Sequence, residues 1–104
     1  MLPLLDINNR KIRFTDERKN HLHENHPEMR NQEKNISETL LLPDLIVQSN
    51  IDLNVELFYK FFVHSPVGSK YLCVVVKSGN DDNFIITSYF TDSIKKGKLL
   101  WKKK

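Results

Sequence analysis

The sequence predicts an α+β domain in which two N-terminal helices pack on one face of an antiparallel meander of about four strands, preceded by a small N-terminal hairpin. Long β-branched and aromatic runs, typical of strands, occupy residues 55–64, 70–77 and 83–91. Short turn-rich segments join these runs, and strands joined so closely must be antiparallel. The first half of the chain carries helix start and stop signals instead. All 104 residues are expected to form one domain, 1–104, in which residues 102–104 are a basic tail.

The opening of the chain predicts a hairpin followed by a polar helix. Residues 4–7 and 11–15 alternate loosely, and the two asparagines between them tolerate the positive φ of a tight turn. Thr15 is a good N-cap for a helix over about 16–25, because two acidic residues follow it at the positive end of the helix dipole. Only Leu22 of that helix is clearly hydrophobic, so the helix either packs loosely on the surface or uses its polar face.

A second helix is predicted over about 31–42, where apolar residues recur at helical spacing and Pro43 stops the helix. A short strand over 45–49 precedes the three long ones. Near the end of the chain, two leucines and Trp101 predict that this segment folds back onto the body of the domain before the final lysines.

Composition restricts the functional classes. The net charge of +3 comes from residues 95–104, which hold six lysines and no acid; the first 94 residues hold ten basic and thirteen acidic residues, a net of −3. This basic segment either contacts a phosphate backbone or is a solvated end. No apolar run approaches the ~20 residues of a membrane helix, and residues 1–6 do not resemble a secretory signal. The single cysteine, Cys73, can form no intrachain disulfide, so we expect a cytoplasmic protein without membrane contact.

Three of the four histidines, His21, His23 and His26, lie within six positions. Imidazole titrates near neutral pH, so such a cluster can transfer protons, bind metal or hold phosphate. Pro27 cannot continue a helix interior, so His26 is expected at the end of a helix. The spacing also resembles the H-x-H-x-D-H metal motif of metallo-β-lactamase-type hydrolases, but Asn25 replaces the aspartate and the chain is too short for that fold. The alternative is that the first two histidines face solvent and His26 only caps a turn.

Lys60 lies in the middle of a long predicted strand, where a charged side chain is unusual. If each hairpin pairs symmetrically about its loop, Lys60 faces Val74, Val74 faces Thr87, and Tyr89 follows on the same side, which we expect to be the open face of the sheet. Lys60 then either lies along neighbouring phenylalanines and reaches water or contacts a phosphate. The opposite face is expected to be the helix-covered core, formed by Leu57, Tyr59, Phe61, Cys73, Val75, Phe84, Ile86 and Phe90.

Nearly the whole chain resembles one known family. The residues that carry the resemblance are 5–18, 21–22 and 26–29 (His-Pro-Glu-Met), then 36–40, 43–44, 57–60, 71–77, 84–91 (with Thr-Ser-Tyr at 87–89), 94–97 and Trp101. In this order they are similar to phage-associated proteins grouped with the barnase–EndoU–colicin–RelE-like nucleases, the BECR fold. The resemblance implies helices packed on an antiparallel sheet, with an RNase-like site on the exposed side of the sheet. The matching site positions are His21, His26 and Glu28 at the helix end, Tyr59 or Lys60 in the strand, and Thr87 and Tyr89 in the last strand.

The function expected from this resemblance is a toxin-like, metal-independent endoribonuclease that needs no cofactor and leaves a 2′,3′-cyclic phosphate. His26 is the expected general acid or base, with His21 or Glu28 as its partner. Lys60 is expected to stabilise phosphoryl charge while Thr87 and Tyr89 position the phosphate. Tyr59, Lys60 and Thr91 are expected to bind the substrate. RNA is the expected ligand, and an antitoxin or immunity protein the expected partner. The alternative is a non-catalytic RNA- or protein-binding module that uses the open sheet face.

Overall fold

A computed structural model describes residues 3–104; Met1 and Leu2, which belong to the predicted opening segment, lie outside the described residues. Two helices and a single 3₁₀ turn at Pro27–Met29 accompany one mixed sheet. The elements in chain order are β1 (Leu4–Leu5), β2 (Lys11–Arg13), α1 (Asp16–Asn25), α2 (Glu33–Leu41), β3 (Leu45–Ser49), β4 (Val55–Phe62), β5 (Lys70–Ser78), β6 (Asn83–Thr91) and β7 (Gly97–Lys102).

The predicted α+β class is confirmed, but the sheet has seven strands instead of about four, in the order β1-β2-β6-β5-β4-β3-β7. Strands β3 to β6 form an antiparallel meander. The N-terminal hairpin β1–β2 joins this meander through a parallel pairing of β2 with β6. The end of the chain returns as β7, which pairs antiparallel with β3. The helices follow β2 and precede β3, so the hairpin before them belongs to the same sheet as the strands after them.

The helices form where the sequence signals place them. The Thr15 hydroxyl accepts a hydrogen bond from the Arg18 N–H at 3.2 Å and caps α1. Leu22 is the buried residue of α1. Helix α2 is shorter than predicted and ends at Leu41, where the Leu42 N–H closes the last turn on the Glu38 carbonyl. Among the described residues, no helix is long and apolar enough to cross a membrane.

The sheet has an apolar cluster on each face. One cluster includes side chains from both helices, so it defines the helix-covered face; its sheet residues include Ile46, Phe58, Leu72, Val74, Val76 and Ile85. The other cluster defines the helix-free face and consists of Val47, Val55, Leu57, Tyr59, Cys73 and Val75, with Leu45, Tyr71, Ile86, Tyr89 and Ile94 packed against it.

The predicted assignment of the two faces is therefore wrong. Leu57, Tyr59, Cys73 and Val75 of the expected helix-covered core lie on the helix-free face, whereas Phe90 packs against the helix-covered cluster. Because the two faces of this sheet are both apolar, hydrophobicity alone could not identify the one that the helices cover.

A β-bulge separates Thr87 and Tyr89 from the face of Lys60. Next to the β5–β6 loop the pairing is symmetrical, as predicted, but the register shifts between Val75 and Val76. The extra residue, Ile86, moves the rest of β6 to the opposite parity, so that Thr87 pairs with Val75 instead of Val74. Lys60 pairs with Leu72, two positions from the predicted Val74, and so keeps its predicted parity.

The connector from β6 to β7, residues 92–96, crosses the helix-free face. In the sheet order these strands are four steps apart, which at ~4.8 Å per step is about 19 Å. The six steps from Thr91 to Gly97 reach only ~20–22 Å when extended. The connector therefore has little slack. After bends at Asp92 and Ser93 it crosses the sheet, and Ile94 packs on the helix-free cluster beneath it.

Candidate functional site

His26 is held at the junction between α1 and the 3₁₀ turn. Its N–H donates to the Leu22 carbonyl at 2.7 Å as the C-cap of α1, and its carbonyl accepts from the Met29 N–H at 2.9 Å. Pro27 begins the turn, and the fully buried Met29 anchors it in the core. The prediction that His26 lies at a helix end is confirmed. Its backbone is constrained from both sides, while its side chain remains about one-third exposed.

The imidazole of His26 lies between a carboxylate and an aromatic ring. Its Nδ1 is 3.4 Å from Oε1 of Glu28, and its ring centroid is 6.0 Å from that of Tyr89, with the ring planes tilted by 32°. A carboxylate at Nδ1 orients an imidazole. Helix α1 and the 3₁₀ turn lie along β6, which brings His26 to Tyr89 although Tyr89 belongs to the helix-free face.

The three clustered histidines do not converge. His21 Nε2 lies 4.0 Å from Glu17 Oε1, and His23 Nε2 lies 3.9 Å from Glu33 Oε1. Each of these histidines thus has its own acidic neighbour, and Glu28, not His21, is the group placed beside His26. Across residues 3–104, no group of three or more histidine, cysteine or acidic side chains is arranged to hold a metal ion.

Two tyrosines and a cysteine form the centre of the helix-free face. Burial raises the pKa of Tyr59 to about 12 and that of Cys73 to about 11, and burial also raises the pKa of Tyr89. These side chains are therefore protonated at neutral pH. The Tyr59 hydroxyl accepts a hydrogen bond from the Lys95 N–H at 3.1 Å. The Tyr89 hydroxyl is buried beside Cys73 without a hydrogen-bond partner of normal geometry, so its ring, and not its oxygen, is the part that a ligand would contact.

Lys95 places a cation on this face that was not among the site residues predicted from the sequence. Its Nζ lies 5.8 Å from the centroid of the Tyr89 ring, a cation–π contact. The connector of residues 92–96 brings it there; from the sequence, Lys95 belonged to a basic segment expected either to contact a phosphate backbone or to be a solvated end. One feature of the sequence could have indicated this position of Lys95: only a few residues join the last two strands. If those strands are not neighbours in the sheet, so short a connector must cross the sheet.

A cavity of about 370 Å³ opens beside Tyr89 and Lys95. It lies between the connector and the loop that joins β3 to β4, and the Asn50 side-chain amide donates to the Lys96 carbonyl at 3.1 Å across it. Its wall combines hydroxyl groups with apolar strand residues and consists of Ser49, Asn50, Ile51, Val55, Leu57, Val75, Thr87, Tyr89, Lys95 and Lys96. Such a mixture suits a flat ligand that has both apolar faces and polar edges.

Lys60 does not belong to this site, which corrects the prediction that it shares a row with Thr87 and Tyr89. Its strand neighbours on the same side, Phe58 and Phe62, belong to the helix-covered cluster. Its Nζ donates to the carbonyl of Leu42, the C-cap of α2, at 3.1 Å. Lys60 thus extends along the apolar layer to the negative end of a helix, where a cation is stabilising.

The remaining predicted positions lie on the helix-free face with Tyr89. Thr87 lines the cavity, and the Tyr59 ring lies beneath the connector that its hydroxyl holds. Thr91 is paired with Tyr71 at the end of β6, and its hydroxyl exchanges hydrogen bonds with the backbone of Ser93. The structure therefore brings together His26, Glu28, Tyr59, Thr87, Tyr89 and Thr91 at or beside one face, and separates His21 and Lys60 from them.

Comparison of the chain with protein-family models, with curated proteins and with solved structures gave no match.

Proposed function

We propose that this protein is a metal-independent endoribonuclease whose site is the helix-free face next to His26. One observation carries the proposal. The His26 imidazole, which lies beside Glu28, and the Lys95 ammonium both lie close to the Tyr89 ring. A proton-transfer group and a cation beside an accessible cavity are the groups that phosphodiester cleavage needs. A base can stack on the partly exposed Tyr89 ring or enter the cavity.

The proposed reaction begins when His26 removes the proton of a 2′-hydroxyl group. The 2′-oxygen then forms a bond to the adjacent phosphorus while the bond from phosphorus to the 5′-oxygen breaks, and the leaving 5′-oxygen takes a proton from water. The products are a 2′,3′-cyclic phosphate and a free 5′-hydroxyl. Glu28 orients the imidazole, and the Thr87 hydroxyl donates a hydrogen bond to the substrate. Lys95 stabilises the phosphoryl charge, which is the role that was expected for Lys60.

The test compares His26→Ala with His21→Ala, the same substitution in an exposed residue of α1. Purified proteins are incubated with total RNA in EDTA, and the RNA ends are identified by mass spectrometry. Loss of a proton-transfer group lowers a rate by ~10²- to 10⁴-fold, so we expect that loss for His26→Ala and the parental rate for His21→Ala. Both variants should keep the parental melting temperature within a few degrees. An unchanged rate for a folded His26→Ala protein contradicts the proposal.

A binding module without catalysis is the second candidate, and one observation favours it. The hydroxyls of Tyr59 and Tyr89 are protonated and not available to a substrate, so neither can transfer a proton to it. Proton transfer on this face then depends on the single pair of His26 and Glu28, which contact each other. Retention of RNA without cyclic-phosphate ends would identify this function. A cytoplasmic location, a toxin-like role and a neutralising antitoxin or immunity protein belong to the nuclease proposal; growth inhibition that His26→Ala relieves would support them.

A further inference from the structure

Strand β7 is the open edge of the sheet. Within residues 3–104 it is the last strand in the sheet order and has β3 as its one pairing partner. All six of its residues, Gly97–Lys102, are exposed. The outer backbone N–H and C=O groups of such a strand face solvent, and they form a template on which another extended chain can pair.

This edge carries apolar side chains on both sides of the sheet. Leu99 pairs with Val47 of the helix-free cluster, and Trp101 pairs with Ile46 of the helix-covered cluster. Their exposed fractions are 51% and 36%. Beside Trp101, a cleft of about 270 Å³ opens between β7 and the end of α2, lined by Ile7, Leu42, Pro43, Lys60 and Lys103. Exposed apolar groups grouped in this way mark an interaction surface.

The charge of this edge determines the kind of chain that fits it. Residues 95–104 hold six lysines and no acid. A second copy added to β7 would bring the lysines of the two 95–104 segments next to each other. Like charges directly opposite each other destabilise a strand pair, whereas opposite charges stabilise it. An acidic strand therefore fits this edge better than a second copy of the chain.

We propose that β7 is a docking edge for an extended acidic segment of another protein, which adds to the sheet as an eighth strand. Backbone pairing provides the affinity, as in other cases of strand addition. An apolar side chain of the segment enters the cleft beside Trp101 on the helix-covered side, and the acidic side chains that alternate with it meet Lys102 on the helix-free side. This surface is separate from His26, so the proposal does not depend on the nuclease function.

The test uses Trp101, the only tryptophan of the chain, as an intrinsic fluorescent probe. The full-length protein is titrated with a capped peptide of alternating glutamate and valine, seven residues long. Two matched peptides serve as controls: one with lysine at every glutamate, and one with the same side chains but N-methylated at alternate backbone nitrogens. We expect a saturable blue shift with the acidic peptide only. In the protein variant Lys98→Glu/Lys102→Glu, we expect binding of this peptide to weaken about tenfold or more.

Three results would overturn the proposal. The acidic peptide produces no saturable shift in folded protein, or the N-methylated peptide binds as tightly, which would show charge attraction without strand pairing. Alternatively, sedimentation shows a dimer that competes with the peptide, which would make a second copy the occupant. Lys11→Glu, a charge reversal on the distant strand β2, is the matched control and should bind the peptide as the parent does.

Discussion

At the level of single residues, the backbone around each histidine determines whether its imidazole is held in a fixed position next to other functional groups. His21 and His26 are five positions apart, yet one lies on an exposed helix turn beside Glu17 and the other is locked between two helical segments. Pro27 ends the helix and directs the chain along β6, which brings one imidazole to Tyr89. The position of the Lys60 ammonium is determined instead by its long side chain, which extends past the apolar layer and donates to the Leu42 carbonyl at the end of α2.

Lys60→Met tests the structural role of this lysine. The substitution keeps the apolar stem and removes the cation from the C-terminal end of α2, an interaction worth about 0.3–1 kcal/mol. We expect urea denaturation to show a loss of that size while RNA cleavage is unchanged. Lys11→Met, in an exposed strand position, is the control and should stay within about 0.5 kcal/mol of the parent. A large loss of cleavage activity in Lys60→Met would contradict the structural role and show that Lys60 takes part in the reaction.

The buried tyrosines predict a loss of stability at alkaline pH. Tyr59 has a pKa of about 12 in the folded protein, and the pKa of Tyr89 is also raised, whereas both titrate near 10 when unfolded. Above pH 10 the unfolded chain releases protons that the folded protein retains, so the free energy of unfolding falls between pH 10 and 12.

Tyr89→Phe removes one of these groups and a buried hydroxyl that has no partner. We expect the variant to match or exceed the parent in stability at pH 8, because an unpaired buried hydroxyl is unfavourable. Its stability should then fall less steeply above pH 10. Urea denaturation at pH 8, 10 and 11 measures both effects, and equal slopes for variant and parent would contradict the assignment.

At the scale of elements, one extra residue in β6 determines the composition of the site. Without the bulge at Ile86, Thr87 and Tyr89 would face the helices together with Lys60. With it, they face the cavity beneath the connector, and Ser88 takes the buried position, donating to the Cys73 carbonyl at 2.8 Å. A second irregularity shifts the register of β7 between Ile46 and Val47, so that Leu100 is an extra residue and the parity of β7 changes there.

Gly97 controls the attachment of β7. A Cβ at this position would overlap the carbonyl oxygen of Gln48, so Gly97→Ala forces the strands apart. We expect a destabilisation of about 1–3 kcal/mol and a red shift of the Trp101 fluorescence as β7 separates from β3. Lys98→Ala, in an exposed position of the same strand, should change neither. A Gly97→Ala protein with parental stability and fluorescence would show that β7 can shift without cost.

At the scale of the whole molecule, an ion-pair network fastens the N-terminal hairpin to the meander. The buried carboxylate of Asp6 accepts hydrogen bonds from the backbone of Asn8 and Arg10 and, at 2.7 Å, from the Arg10 side chain. The same guanidinium reaches Glu56 of β4 and the hydroxyl of Ser78 in β5. Residues distant in sequence are thus joined around one arginine.

Arg10→Met should be one of the most destabilising single substitutions outside the apolar core. It leaves the Asp6 charge buried without its cation; loss of one partner of a fully buried pair costs ~3–5 kcal/mol, and the partial exposure of Arg10 reduces this to about 2–3 kcal/mol. Arg13→Met is the matched control, because its pair with Asp82 is half-exposed on both sides, is screened by solvent and should contribute much less than the Arg10 pair. Equal losses in urea denaturation would contradict the ranking.

Much of the local structure was predictable from the sequence, because its causes are local. Helix α1 begins after a capping threonine and ends before Pro27, and the hairpin turn contains Asn9 at a φ of 63°. The strands of the meander follow from their β-branched runs. In the site, the exposed end position of His26 and its acidic neighbour Glu28 were also predictable, since both depend on residues within two positions.

The α+β class, the helix ends and the position of His26 follow from the residues alone, because capping, proline geometry and side-chain periodicity act over a few residues. The face that the helices cover, the partner of the Lys60 ammonium and the contact of Lys95 with Tyr89 depend on how distant strands pair. The physical reason is that a bulge changes parity for every later residue of a strand, and a connector's path depends on where distant strands pair.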